Sequence, residues 1–209
     1  MYHRIDEYKK RFFELTKEIT ANGINELLNW MENKTDFFTA PASTKYHSNF
    51  DGGLLVHTIK MTEIALHIYD LYIKDHPDSK LTRESVIKAG LFHDLCKINN
   101  YKKSEKWLKN SDNKWVSYLG YEYIDTFPYG HGEKSILFIN NFMPLNKDEM
   151  LAIRHHMGNF EGFQYGSVGK MALDAAFAES PLVIIIHTAD SLASFAFEDR
   201  IDYAKNAKN

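Results

Sequence analysis

Between residues 5 and 31, apolar side chains return every three or four positions, at Phe12, Leu15, Ile19, Leu27 and Leu28. That period predicts helix, and Asn22-Gly23 interrupts it, so the segment reads as two short helices or as one with a break. Residues 37–50, with Pro41 and several Ser, Thr and Asn, read as a loop. Asp51 then stands where a cap would open a long helix over 51–74, which closes before His76-Pro77. Its apolar stripe is Leu54, Met61, Ile64, Ala65 and Ile68, and His57 lies on that stripe. Thr82 opens the next helix, with Glu84 and Ser85 in its first turn, and this helix runs into GLFHDLCK at 90–97.

After a loop at Asn99-Asn100, residues 106–126 alternate aromatic and β-branched side chains around a Ser-Asp-Asn turn. They predict one small β-hairpin. Helical spacing resumes over 130–142 and stops at Pro144, then runs over 147–157 and stops at Gly158. A Gly-rich loop over 160–170, either a substrate loop or a plain connection, leads to a helix near 170–178. A last helix covers 181–197. No repeat, low-complexity tract or Pro/Ser-rich linker divides the chain. The expectation is one mainly α domain, a compact helical bundle with one hairpin, residues 1–45 forming a helical extension to a core at 46–200.

Composition narrows the classes. With 44% hydrophobic and 25% charged residues the chain has a globular balance, and its net charge of −3 provides no global basic field for nucleic acid or membrane. One cysteine, Cys96, excludes an intrachain disulfide. The start lacks the apolar core of a signal peptide, and the most apolar run, at 181–197, is broken by His187 and Asp190. These features set the expectation of a soluble cytoplasmic protein with no membrane partner, for which long nucleic acid is a poor fit.

Several ionisable residues interrupt apolar helix faces: His57, His93, Asp94, His155, His156, His187 and Asp190. One alone would read as a core histidine bonded to a carbonyl, and His187 with Asp190, three positions apart, as a structural pair. Together they would require many separately satisfied buried polar groups, whereas one shared metal centre accounts for most of them. Imidazole with carboxylate suits Zn, Mn, Fe, Co or Ni, and the lack of thiolates argues against a closed structural zinc site.

The series His57, His93-Asp94 and Asp190 resembles the signature of HD-domain metal-dependent phosphohydrolases. The flanking text extends the resemblance over about residues 46–197, most of the chain. YHSNFDGGLLVHT, GLFHDLCK, GHGEKS and RHHMG are similar to segments of the YhaM-type exoribonuclease subgroup. The resemblance implies hydrolysis of a phosphoester or phosphoanhydride by water activated at one or two divalent ions (Mn, Fe, Ni, Co, Mg or Zn). It implies His57, His93, Asp94 and Asp190 as ligands of a first ion, and His131 and His155 as ligands of a second. His156 would bind metal or contact phosphate. Asp94 would bridge the ions, and Lys97 would touch a phosphate oxygen, or else face water as a C-terminal cation of its helix. His131 sits near an expected helix N-terminus, which also favours anions.

The departures from that subgroup shape the expected substrate. About 45 residues precede the matched region and read as helical, too few for an OB barrel. The expectation is a nucleotide, a cyclic nucleotide or a short oligonucleotide. HHMG is not followed by the Gly-Tyr-Pro element of cyclic-di-GMP phosphodiesterases. Trp107, Trp115, Tyr118, Tyr121 and Tyr123 would either form a base-stacking wall or cover a core edge. The first helix would pack on its own domain or serve a homodimer. Two other classes remain: a nucleotide- or metal-binding sensor with weak catalysis, and a diiron oxygenase.

Overall fold

The computed structural model describes residues 4–203, with the backbone alone at 161–165. Among the described residues, eight α-helices and one two-stranded hairpin form the mainly helical architecture that the apolar spacing predicts. The N-terminal segment is two helices, α1 (Ile5–Thr16) and α2 (Ile24–Lys34). The break is set by Gly23, at φ +91, where an added Cβ would lie 1.9 Å from the Phe142 carbonyl oxygen. Both helices bury their apolar stripes, Phe12 and Leu15 from α1, Leu27 and Met31 from α2. These residues join the same hydrophobic cluster as Leu54, Phe92, Ile153 and Ile186.

The long helix α3 (Gly53–Asp75) packs against α1, α4 and α8 and is the axis of the bundle. Its start departs from the sequence expectation. The N-cap is Gly52, at φ +79 and without a side-chain cap, not Asp51. The Asp51 carboxylate is committed elsewhere, accepting from Lys103 Nζ and the Tyr121 hydroxyl, each at 2.6 Å.

Helix α4 (Arg83–Phe92) begins as expected, with the Thr82 hydroxyl accepting the Ser85 N–H at 3.1 Å. Such a cap contributes about 1 kcal/mol. The helix ends at Phe92. Asp94 leaves helical geometry at φ −104, ψ 17, and a 3-10 turn, Leu95–Lys97, follows. Leu91, Phe92 and Leu95 are buried, so apolar packing on both sides fixes this corner.

Helix α5 spans His131–Asn140, and α6 spans Lys147–His155 behind a capping box of Asn146 and Glu149. Glu149 is fully buried and also ties α6 to α4, through Lys88 Nζ at 2.6 Å and the Ser85 hydroxyl at 2.8 Å. Removing one partner of such a buried pair costs about 3–5 kcal/mol. The tie matters for the site, because α4 and α6 end in His93-Asp94 and His155-His156 respectively.

The Gly-rich stretch expected as a loop is helical instead. Helix α7 runs over Asn159–Glu179, with one break at Gly166. Composition misleads here, since glycine weakens a helix by about 1 kcal/mol per residue relative to alanine but does not forbid it. Pro181, at the first helical position, starts α8 (Pro181–Leu192), which continues as a wider π-helical turn, Ala193–Phe197. No single helix among the described residues is long and apolar enough to cross a membrane.

The hairpin starts earlier than the alternation predicts. β1 (Tyr101–Lys109) pairs antiparallel with β2 (Trp115–Tyr123), in a register running from Tyr101 opposite Tyr123 to Lys109 opposite Trp115. Its aromatics divide. The Tyr101 hydroxyl donates to the Ala42 carbonyl at 3.1 Å, and the Tyr118 ring stacks on Tyr203 at 4.4 Å. Trp107 and Trp115 are exposed on the outer face of the ribbon.

Candidate metal centre

Four helix ends and one helix interior deliver the ionisable side chains to one place. His57 projects from the first turns of α3, His93 and Asp94 from the corner after α4, His131 from the first position of α5, His156 from the C-cap of α6 and Asp190 from α8. His57, His93, Asp94 and His156 are each 2% exposed or less. The His57 Nε2 lies 3.2 Å from His93 Nε2, 3.4 Å from Asp94 Oδ2 and 3.3 Å from Asp190 Oδ1. His93 Nε2 lies 3.3 Å from Asp94 Oδ2. The other oxygen of Asp94 serves a second group: Oδ1 lies 2.9 Å from His131 Nε2 and 3.6 Å from His156 Nε2.

The tautomers follow from the opposite sides of the rings. His93 Nδ1 lies 2.8 Å from the Gly90 carbonyl, and His156 Nδ1 lies 2.7 Å from the Ile153 carbonyl. A carbonyl only accepts, so each Nδ1 carries the hydrogen and each Nε2 keeps its lone pair. His57 Nδ1 faces a carboxylate, Glu198 Oε1, at 2.7 Å, with the same consequence. Three Nε2 atoms therefore converge on Asp94. His156 Nε2 is buried without a hydrogen-bond partner, and His57 Nε2 faces the His93 lone pair, a place for a proton or a cation.

That arrangement fits a divalent cation. Ligands about 2.0–2.1 Å from an ion and tetrahedrally placed lie roughly 3.3 Å from one another, close to the separations among the first group. Charge agrees. Asp94 and Glu198 bring two buried carboxylates and Asp190 a partly buried third, and Lys97, with Nζ 2.6 Å from Asp94 Oδ2, is the ammonium beside them. Burial disfavours ionised Asp94, yet Lys97 and the surrounding imidazoles outweigh it and hold the carboxyl well below its usual range. Burial opposes Asp190 in the same way, and its contact with His57 overcomes it. Burial would also keep His57 neutral, but Glu198, Asp190 and Asp94 raise its pKa well above the ordinary value. The pocket favours positive charge beside His57. Three overlapping sets are placed to hold an ion: His57, His93 and Asp94; Asp94, His131 and His156; His47, His57 and Glu198.

Two expectations about individual residues need correction. It is His156, not His155, that the fold brings to Asp94, because adjacent helical residues point about 100° apart and only one can face the centre. His155 belongs to none of the three sets. Burial first, then Arg154 and His156, push its pKa down to about 4. His187 does not pair with Asp190; its Nδ1 donates to the His156 carbonyl at 2.7 Å. Gly158 leaves room for that ring, since a Cβ there, at φ +55, would lie 2.3 Å from His187 Cε1.

Two residues escaped the sequence reading. His47 packs against the His57 ring, centroids 4.9 Å apart and planes tilted by 36°, and its Nε2 is buried without a partner. It stands within the quoted YHS text, which was the only signal for it. Glu198 lies just beyond the apolar helix, where an acid beside Asp199 and Arg200 reads as surface, and nothing in the sequence marked it.

The centre reaches solvent through few side chains. A cleft of about 300 Å3 is lined by Tyr46, His47, Lys97, Tyr101, Tyr123 and His131, among others. A second, of about 460 Å3, shares Tyr123 and His131 and adds Asp125, Tyr129 and Lys134. Lys97 thus bonds Asp94 and faces a cleft at the same time.

Among known proteins, the chain matches no family model and no solved structure. A segment of 66 residues, 32% of this chain, is 38% identical to the dihydroneopterin 2',3'-cyclic phosphate phosphodiesterase of Methanocaldococcus jannaschii. The matched segment spans 26% of that enzyme's length. The chain is therefore similar over part of its length to a phosphodiesterase that acts on a cyclic phosphate, and it carries side chains placed to bind metal.

Proposed function

We propose that this chain is a metal-dependent phosphohydrolase of the HD type, hydrolysing a phosphoester of a small nucleotide-like molecule, with cyclic phosphates the first substrates to try. The observation that carries this reading is the division of Asp94: Oδ2 faces His57, His93 and Lys97, while Oδ1 faces His131 and His156. A bridging carboxylate between two imidazole groups is what a dinuclear hydrolytic centre needs. His57, His93, Asp94 and Asp190 would hold one divalent ion, and Asp94, His131 and His156 a second. Such ions supply the Lewis acidity that makes water a nucleophile near neutral pH and offsets phosphate charge.

The chain's own residues do the rest. Lys97, charged and at the floor of a cleft, draws a phosphate oxygen toward Asp94. His47 lines the same cleft and can donate a hydrogen bond to a non-bridging oxygen, while His131, also in its wall, turns Nε2 to Asp94 and Nδ1 to Cys96 Sγ. Burial of the cluster beneath this cleft excludes bulk water and strengthens each of these interactions. In the reaction, oxygen from water bonds to phosphorus, one P–O ester bond breaks, and the leaving oxygen takes up a proton. The partial relative acts on a cyclic phosphate, which supports opening a ring to a phosphomonoester as the form of that step here.

The test is a product screen over 2',3'- and 3',5'-cyclic nucleotides, linear dinucleotides and nucleoside triphosphates, run separately with Mn, Mg, Ni and Fe. The proposal expects cation-dependent turnover that Asp94→Ala abolishes. Full activity in Asp94→Ala, or tight substrate binding with no product under any cation, contradicts it.

A further inference from the structure

Residues 198–203 cross the mouth of α3 as a strap. The Ser48 N–H donates to the Asp199 carbonyl at 2.9 Å, and the Asn49 amide exchanges bonds with the Ile201 backbone, at 3.1 and 2.6 Å. The Tyr203 hydroxyl donates to the Asn49 carbonyl at 3.0 Å, and Lys60 Nζ donates to the Phe197 carbonyl at 2.7 Å. Ser48 and Asn49 are fully buried, and Ser48 holds a left-handed φ of 42. The loop that grips this strap holds an uncommon backbone conformation at Ser48.

The strap delivers one side chain inward. The Glu198 side chain is wholly buried, with Oε1 2.7 Å from His57 Nδ1 and Oε2 accepting the Ser48 hydroxyl at 2.5 Å. We propose that Glu198 is a positioning residue of the metal centre, fixing His57 as its Nδ1–H tautomer and aiming Nε2 at the first ion position, with residues 198–203 as the clamp that holds it there. The inference rests on the reading of the centre as metal-binding and adds a requirement for a segment the ligand series does not include. Carboxylate partners of this kind orient ligating imidazoles and raise their basicity.

A third ion among His47, His57 and Glu198 is the competing reading of the same atoms. It asks more of His57, which would have to surrender the Nδ1 hydrogen and present both ring nitrogens as ligands. Both Glu198 oxygens, moreover, already accept hydrogen bonds.

The experiment titrates Mn(II) into the 209-residue wild-type chain, Glu198→Gln and Glu198→Ala, by calorimetry well below the unfolding temperature of the metal-free protein. Metal analysis at saturation accompanies it, and nitrogen-15 NMR of the histidine rings reads the tautomer of His57. Glu198→Ala is expected to weaken Kd about 100-fold and to lose the Nδ1–H signature, with the number of ions per chain at saturation unchanged. Glu198→Gln, which keeps an acceptor but not the charge, is expected to lose about tenfold and to retain the tautomer. If the alanine variant does not fold, an unchanged Kd in Glu198→Gln overturns the proposal on its own. Loss of one ion per chain with the others bound at wild-type affinity also overturns it, by making Glu198 a ligand. Absence of Mn binding in the wild type overturns the reading of the centre as well, whereas wild-type binding with an unchanged variant Kd overturns this inference alone.

Discussion

His57 Nε2 and His93 Nε2 face each other at 3.2 Å although each ring directs its Nδ1 hydrogen elsewhere, to Glu198 and to Gly90. Two lone pairs at that distance repel unless a proton or a cation lies between them. Divalent cation should therefore stabilise the fold: at 100 times Kd the gain is about 2.7 kcal/mol. Thermal unfolding with and without Mn(II) measures it. The midpoint should rise in the wild type and rise less in His93→Ala, which keeps only the second ion position, and an undiminished cation effect in His93→Ala would contradict the pairing.

The neighbours His155 and His156 should separate cleanly. His156→Ala removes an Nε2 aimed at Asp94 and is expected to reduce bound Mn from two ions per chain toward one. His155→Gln should leave the ion count unchanged, because His155 faces away from Asp94. Metal analysis after gel filtration decides, and the opposite pattern would restore the original sequence assignment.

His155 also predicts a pH effect. Burial lowers its pKa from 6.5 to about 4 in the folded protein, so as pH falls below 6.5 the unfolded chain takes the proton first. Stability is lost across that window, from about 6.5 down to about 4, and the slope has the sign of an unfolded state that binds more protons. His155→Gln lacks this contribution. Between pH 7 and 4.5 the variant should gain on the wild type by on the order of 2 kcal/mol in urea unfolding; parallel pH profiles would remove the effect.

Gly158→Ala tests the support behind His156. The added Cβ meets the His187 ring in a backbone region that L residues avoid, at a cost of about 1–3 kcal/mol. Displacing His187 frees the His156 carbonyl, so the second ion should also bind more weakly than the first. A stability loss with both ions held at wild-type affinity would confine the role of Gly158 to folding.

What could be read from the sequence follows from which interactions are local. Helix spacing, the Thr82 cap and the stop at Pro144 are written in consecutive residues, and the structure keeps them. Asp51 failed as a cap because its partners, Lys103 and Tyr121, lie in a hairpin some fifty residues or more away. The Gly-rich stretch is helical rather than a loop because glycine lowers helix propensity without excluding the helix, and the chain departs from helical geometry there at Gly166. Within the centre, the HD text pointed to His57, His93, Asp94 and Asp190, which the fold does bring together. It could not choose between two adjacent histidines, a choice made by the rotation of α6, nor find Glu198, whose role depends on a strap closing over Ser48 and Asn49.

The central claim is that Asp94 stands between two ion positions. Anomalous diffraction from crystals grown with Mn(II) tests it most directly. The account predicts two peaks about 3.5–4 Å apart, one beside His57, His93 and Asp190, the other beside His131 and His156, with Asp94 touching both. A single peak, or none within bonding distance of Asp94, would contradict it.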